Sequence, residues 1–119
     1  MNRTAVGLSR PQGNTNGSGM VANDAIIAVY MMTNRKYGKL YLGVTSQLIL
    51  RVSQHREGVI PGYTKTHGLK RLVWYEQHES MIYAIHREKL LKKYKRDWKT
   101  NLIERDSPNW DDLFLGLLG

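Results

Sequence analysis

Tyr30, Tyr41, Arg51, His55 and Glu88 are the residues of this chain whose types and spacing suit chemistry. A tyrosine hydroxyl ionises near pH 10 in water, so it serves as a base near neutrality only with a cation to favour the phenolate. Lys39 and Arg51 are candidate helpers. Arg51 and His55 stand four apart, which makes them neighbours on one face of a helix. A guanidinium gives a phosphate a permanently charged, two-pronged contact. An imidazole can donate a hydrogen bond to phosphate or shuttle a proton. Glu88 offers one carboxylate, which suits magnesium held mainly through water and substrate phosphate. Each residue also has a plainer reading. Strand tyrosines pack with a wet hydroxyl. Arg51 can snorkel over the core edge with His55 simply exposed. Glu88 can pair with Lys92 one turn on, for about 0.3–0.5 kcal/mol.

The elements that would position these residues follow from the pattern. Ile26–Thr33 is β-branched and apolar and predicts a strand. Asn34–Lys39 reads as a turn and Lys39–Val44 as a second strand, so the two make a hairpin. Side chains alternate along a strand, which groups Tyr30 with Ala28 and Met32, and Tyr41 with Lys39 and Gly43. Gly43 leaves a gap beside Tyr41 where a backbone or ligand can approach. Thr45 or Ser46 caps a helix that runs to about Glu57, and Gly58 ends it. Leu48 and Val52 form its apolar stripe, with Arg51 and His55 on the flank. Gly58–Gly68 is a loop whose Tyr63–His67 stretch could touch substrate, and Leu69–Gln77 is a third strand. Ser80 caps a long helix to about Arg96, with Ala84, Leu91 and Trp98 on one stripe, Leu90 and Tyr94 beside it, and Glu88 at its rim. A shorter helix covers Asp97–Arg105, Ser107-Pro108 breaks it, and the apolar Trp110–Leu118 packs on the core. The order is β-β-α-β-α-α, an α+β domain.

Composition narrows the function. The 119 residues make room for one domain. No cysteine is present, which removes disulfides, thiolate metal sites and cysteine nucleophiles. There is no apolar run of membrane-spanning length and no secretory signal, so the expectation is a cytoplasmic protein. The net charge is +8. Arg3, Arg10 and Asp24 account for one unit of that, so the charge belongs to residues 25–119. Residues 1–24 hold four Gly, four Asn, two Ser and one Pro and no aromatic residue, and are expected to be a disordered tail. Met20 is a possible internal start, with the residues before it an upstream extension. Seven Lys or Arg lie between Arg87 and Lys99, opposed only by Glu88 and Asp97. That is a phosphate-tracking surface, or else a solvated helix face. Lys39, Lys65, Lys89, Lys92, Lys93 and Arg96 are the candidate nucleic-acid contacts. His67, His78 and His86 are not at metal-ligand spacing and read as surface residues.

The ordered set Ala28-Val29-Tyr30, Tyr41-Leu42-Gly43, Arg51, His55 and Glu88 resembles the GIY-YIG nuclease family, and most of all its small single-domain bacterial members. The likeness runs over roughly residues 26–114. It takes in the later pattern Arg87-Glu88-Lys89, Leu91-Lys92-Lys93, Trp98-Lys99, Leu102-Ile103-Glu104, Pro108, Trp110 and Asp112-Leu113. Ala-Val-Tyr replaces Gly-Ile-Tyr and keeps the tyrosine, and Ser107-Pro108 stands where the subgroup tends to have Asn-Pro. The resemblance implies a three-stranded antiparallel sheet flanked by helices. It also implies phosphodiester hydrolysis with one divalent metal, Mg2+ or Mn2+. Position by position, Tyr30 or Tyr41 would take the proton of the attacking water, Arg51 would hold the scissile phosphate, and Glu88 would hold the metal. His55 matches an accessory histidine, and Asn101 loosely matches a family asparagine.

The expectation is therefore a metal-dependent endonuclease acting on nucleic acid, DNA more than RNA, in DNA repair or processing. The rival is a binding module on the same fold that does not cleave by itself. A peripheral membrane binder would need exposed apolar residues on a basic helix whose apolar face the core requires. With no second DNA-binding domain, sequence specificity would call for a protein partner or a dimer.

Overall fold

The computed structural model describes residues 25–118. The expectation of a tail over residues 1–24 lies outside them.

Three strands form one antiparallel sheet: β1 (Ala28–Thr33), β2 (Leu40–Thr45) and β3 (Arg71–Gln77). Their order is β2-β1-β3, so the first strand is central. This explains its composition. Every residue of β1 is buried, and a strand covered on both faces needs apolar side chains at every position rather than at alternate ones. Tyr30 faces Gly43 across β2 and Tyr75 across β3. The register against β3 shifts between Met31 and Met32, a local irregularity on the β3 side.

Helices cover both faces. The first face carries Ala28, Tyr30 and Met32, which pack with Leu48, Ile49 and Val52 of α1 (Leu48–Glu57) and with Phe114 of α5 (Phe114–Leu118). The second carries Val29 and Met31, which pack with Ala84 and Leu91 of α3 (Met81–Lys92) and Ile103 of α4 (Arg96–Asp106). The C-terminal segment packs on the core as expected. Trp110 is fully buried, its indole N–H donating to a Glu104 oxygen at 2.8 Å. Asp112 accepts from the Leu72 and Phe114 amides and pairs with Arg56. This α+β architecture, a three-stranded antiparallel sheet flanked by helices, is the one the residues and the resemblance implied.

Four local expectations change. Gln47 occupies the first cap position of α1, and it makes no side-chain cap. Thr45 accepts the Gln47 amide at 3.0 Å and so finishes β2 rather than capping the helix. The loop after Gly58 contains a short helix, α2 (Tyr63–His67), bracketed by Gly58, Gly62 and Gly68 with φ of 73°, 116° and 66°. The long helix stops at Lys92, not Arg96, without any Gly or Pro to signal it. The Lys93 and Tyr94 amides close a tight last turn on Leu90 and Leu91, and a new axis begins at Arg96. Trp98 therefore leaves the expected buried stripe and is 56% exposed, while Leu90, expected beside that stripe, is 46% exposed on α3 itself. Ser80 does cap α3, accepting the Tyr83 amide.

Candidate active site

The centre of the site is a chain of polar side chains inside the first face of the sheet. Tyr30 points from the middle strand and is 1% exposed. Its hydroxyl lies 2.8 Å from His55 Nε2. His55 Nδ1 lies 3.0 Å from the Thr64 hydroxyl of α2. Tyr41, half-buried on β2, completes the group: its ring lies 6.2 Å from the Tyr30 ring and 5.5 Å from the His55 ring. The Tyr30 and Tyr41 hydroxyls stand in hydrogen-bonding relation. The sequence produces this through two periodicities. Alternation on β1 aims Tyr30 at the same side as Ala28 and Met32. One helical turn past Arg51, His55 lands on the face of α1 that Leu48 and Val52 bury.

Gly43 is what lets the two tyrosines meet. A Cβ there would come within 2.8 Å of the Tyr30 ring and hydroxyl and of the Tyr41 ring. The gap beside Tyr41 is real, and the tyrosine rings fill it.

Burial sets the electrostatics. His55 is 3% exposed, so it is not the surface histidine of the plainer reading. Desolvation, helped by the nearby Arg51 charge, lowers its pKa to about 4, and it is neutral at pH 7. One ring nitrogen is then a donor and the other an acceptor, which matches the two hydroxyls it meets. Tyr30 is pushed well above the usual tyrosine range, first by burial and then by Tyr41, with Arg51 pulling the other way. Arg51 itself is exposed on the flank of α1, with its charge felt by both buried groups.

Glu88 comes from the other side of the sheet. It is buried on α3 between Ala84 and Leu91, at 8% exposure, and its carboxylate accepts from the Lys92 ammonium at 2.8 Å. That bond raises the Lys92 pKa, with a further contribution from Tyr41. Lys92 is thus held by Glu88 and also feels Tyr41, a link that reading the sequence had not drawn.

Among the described residues no three His, Asp or Glu side chains gather as a metal cage. A lone buried carboxylate still fits a hard cation that keeps several waters and takes its remaining oxygens from substrate phosphate. Such an ion would compete with Lys92 for the same oxygens.

Of the candidate nucleic-acid contacts, Lys39, Lys65, Lys89, Lys92, Lys93 and Arg96 are all exposed. Lys65 follows Thr64 on α2 and so flanks the polar chain. Arg96 donates to the Gly38 carbonyl and ties the start of α4 to the β1–β2 turn. Arg87 is occupied by Glu76, through bonds of 2.8 and 3.3 Å, and counts as structural rather than phosphate-tracking. His78 also bonds Glu76, at 2.9 Å. Thr64 is the member of the polar chain that sequence reasoning missed. Its only sequence signal was membership of the loop singled out as a possible substrate contact. Asn101 is exposed on α4.

Comparison with known proteins agrees with the geometry. The chain matches the GIY-YIG catalytic domain over residues 26–101. It is similar to UPF0213 proteins of Staphylococcus aureus strains Mu3 and NCTC 8325. To each it is 36% identical over 67 residues, which are 56% of this chain and 82% of the relative. No solved structure matches it. A match this long to the domain, on the sheet and helices just described, makes the chain a member of the GIY-YIG family.

Proposed function

We propose that this chain is a divalent-metal-dependent endonuclease that hydrolyses phosphodiester bonds in nucleic acid, with DNA as the favoured substrate. The observation that carries the reading is the buried chain Tyr41–Tyr30–His55–Thr64, with Arg51 on its rim and Lys92 linking it to Glu88. Family members are generally endonucleases that use a divalent metal.

The two tyrosines have unequal access. Tyr30 is sealed and holds its proton tightly, whereas Tyr41 is half-buried at the edge strand. Tyr41 is therefore the oxygen that meets the attacking water, and in its phenolate form it takes the water's proton and becomes the neutral phenol. Tyr30 sits behind it and orients it, and neutral His55 orients Tyr30. Arg51 grips the scissile phosphate and offsets the charge that builds on it. Glu88 would hold the metal, Mg2+ or Mn2+, which would supply Lewis-acid polarisation of the phosphate. Lys92 contacts the phosphate backbone, beside Lys89, Lys93 and Arg96, with Lys39 and Lys65 at the margins.

A panel of duplex, flap, junction, single-stranded and RNA substrates, each with magnesium, manganese or chelator, tests this. Cleavage that requires the metal is the expected outcome. Tight binding with no cutting of any member would give the chain the role of a binding module instead.

A further inference from the structure

Trp98 is one of three tryptophans, and it is unlike the others. Trp74 and Trp110 are 2% and 0% exposed, while Trp98 stands 56% exposed in the first turn of α4. It is also held still. Its ring meets Tyr94 edge-on, with centroids 5.1 Å apart and planes at 85°. The Tyr94 hydroxyl is bonded by Arg87, and Arg87 is bonded twice by Glu76 of β3. A line of contacts therefore runs from the sheet to the indole. At the same helix start, Arg96 is fastened to Gly38. Lys93, Lys95 and Lys99 lie close to it in sequence, Lys93 and Lys95 exposed and Lys99 half-buried. A surface made to bind another protein is depleted of lysine at its centre. An exposed, braced aromatic ring among lysines instead matches the way proteins hold unpaired nucleotides, by stacking a base on the ring while cations follow the backbone.

We propose that Trp98, braced by Tyr94, is a base-stacking platform for an unpaired nucleotide, so that the site prefers nucleic acid with a single-stranded segment over continuous duplex. The inference rests on the nuclease reading given above and deepens it to a substrate class. Because the ring is ordered before binding, little of the stacking energy is lost in fixing it. A base locked in a duplex has both faces covered by its neighbours and cannot use the platform. Trp98 stands six positions after Lys92, on the helix that begins beyond the break.

The test uses the whole chain with chelator present, so that binding is read without cleavage. The probes are a short oligothymidylate and a blunt mixed-sequence duplex. Single strand should quench the acrylamide-accessible tryptophan fluorescence, which comes from Trp98 alone because the other two are buried. Trp98→Ala should weaken single-strand binding about tenfold and duplex binding less than about twofold. Trp98→Phe, which keeps a stacking ring, should recover most of the loss. Equal loss on both probes, loss on neither, or a change of oligomeric state in Trp98→Ala would each overturn the platform. If the wild-type chain binds neither probe, the nuclease reading itself falls. Binding of both with no Trp98 dependence sinks only the platform.

Discussion

The two working regions of this molecule are built in opposite ways. The tyrosine–histidine region is dry, nearly neutral and hydrogen-bonded from end to end, with Tyr30 and His55 at 1% and 3% exposure. The lysines from Lys89 to Lys99 are mostly wet and strongly positive, carried on a backbone anchored by Leu91, Tyr94 and Arg96. A proton can be steered only between groups whose positions and ionisation are fixed, and burial fixes both. A backbone of phosphates needs charge more than geometry, and solvated lysines supply it. The contrast teaches that chemistry and attachment are separable here, with Glu88 and Lys92 at the seam.

The sharpest way to break this division is at the seam. Glu88→Gln keeps the shape of the side chain and removes the charge that would hold the metal. Cleavage should fall ~10²-fold or more, while metal-free nucleic-acid binding holds or improves slightly. Arg51→Ala should also cut cleavage but leave metal binding near normal. If Glu88→Gln cleaves as well as the parent chain, the region drawn as chemical is not the one that acts.

A second contrast is in stability. His55→Ala leaves the Tyr30 and Thr64 hydroxyls facing an empty space and should cost about 2–3 kcal/mol in denaturant unfolding. Arg51→Ala, only one turn away but exposed, should stay within about 0.5 kcal/mol. Equal effects would mean that the dry region is not dry.

The pH dependence separates the regions again. His55 takes its proton at about 4 in the fold and near 6.5 when unfolded. Between those values the unfolded chain holds more protons, so stability should fall as pH drops from 6.5 towards 4. The His55→Phe variant should lose that slope.

The smallest effect is the salt dependence of binding. Changing Lys92, Lys93 and Arg96 together to Glu should reduce the log–log salt slope by ~1–3. An unchanged slope in a binding titration would move the footprint off α3 and α4.

Legibility in the sequence divides along the same line. The sheet, its hairpin and the two main helix positions were readable, because the β-branched, apolar run Ile26–Thr33, the turn Asn34–Lys39 and the Ser80 cap are local signals. The identity of Tyr30, Tyr41, Arg51 and Glu88 as candidates was readable as an ordered set. The positive helix was readable from composition. Three things were not. The burial of His55 depends on α2 folding over it from a glycine-rich stretch that carries no helical period. The break after Lys92 has no Gly or Pro, because it is made by Tyr94 turning inward to Arg87 and the core, a tertiary choice. The exposure of Trp98 then follows from that break, since a residue on a new axis no longer shares the stripe of Ala84 and Leu91.

The segment between Gly58 and Gly68 has a consequence for the timing of events in this molecule. A five-residue helix between left-handed glycines is held by few backbone bonds and has little to lose on unwinding. It is also the wall that closes over His55 through Thr64. An opening of that wall would admit water to a ring otherwise kept from it, at less cost than unfolding the whole domain. During each opening His55 regains its ordinary affinity for a proton. Acid therefore does not merely weaken the fold. It captures the opened form, so the rate at which the imidazole exchanges protons with solvent becomes a clock for the motion of α2.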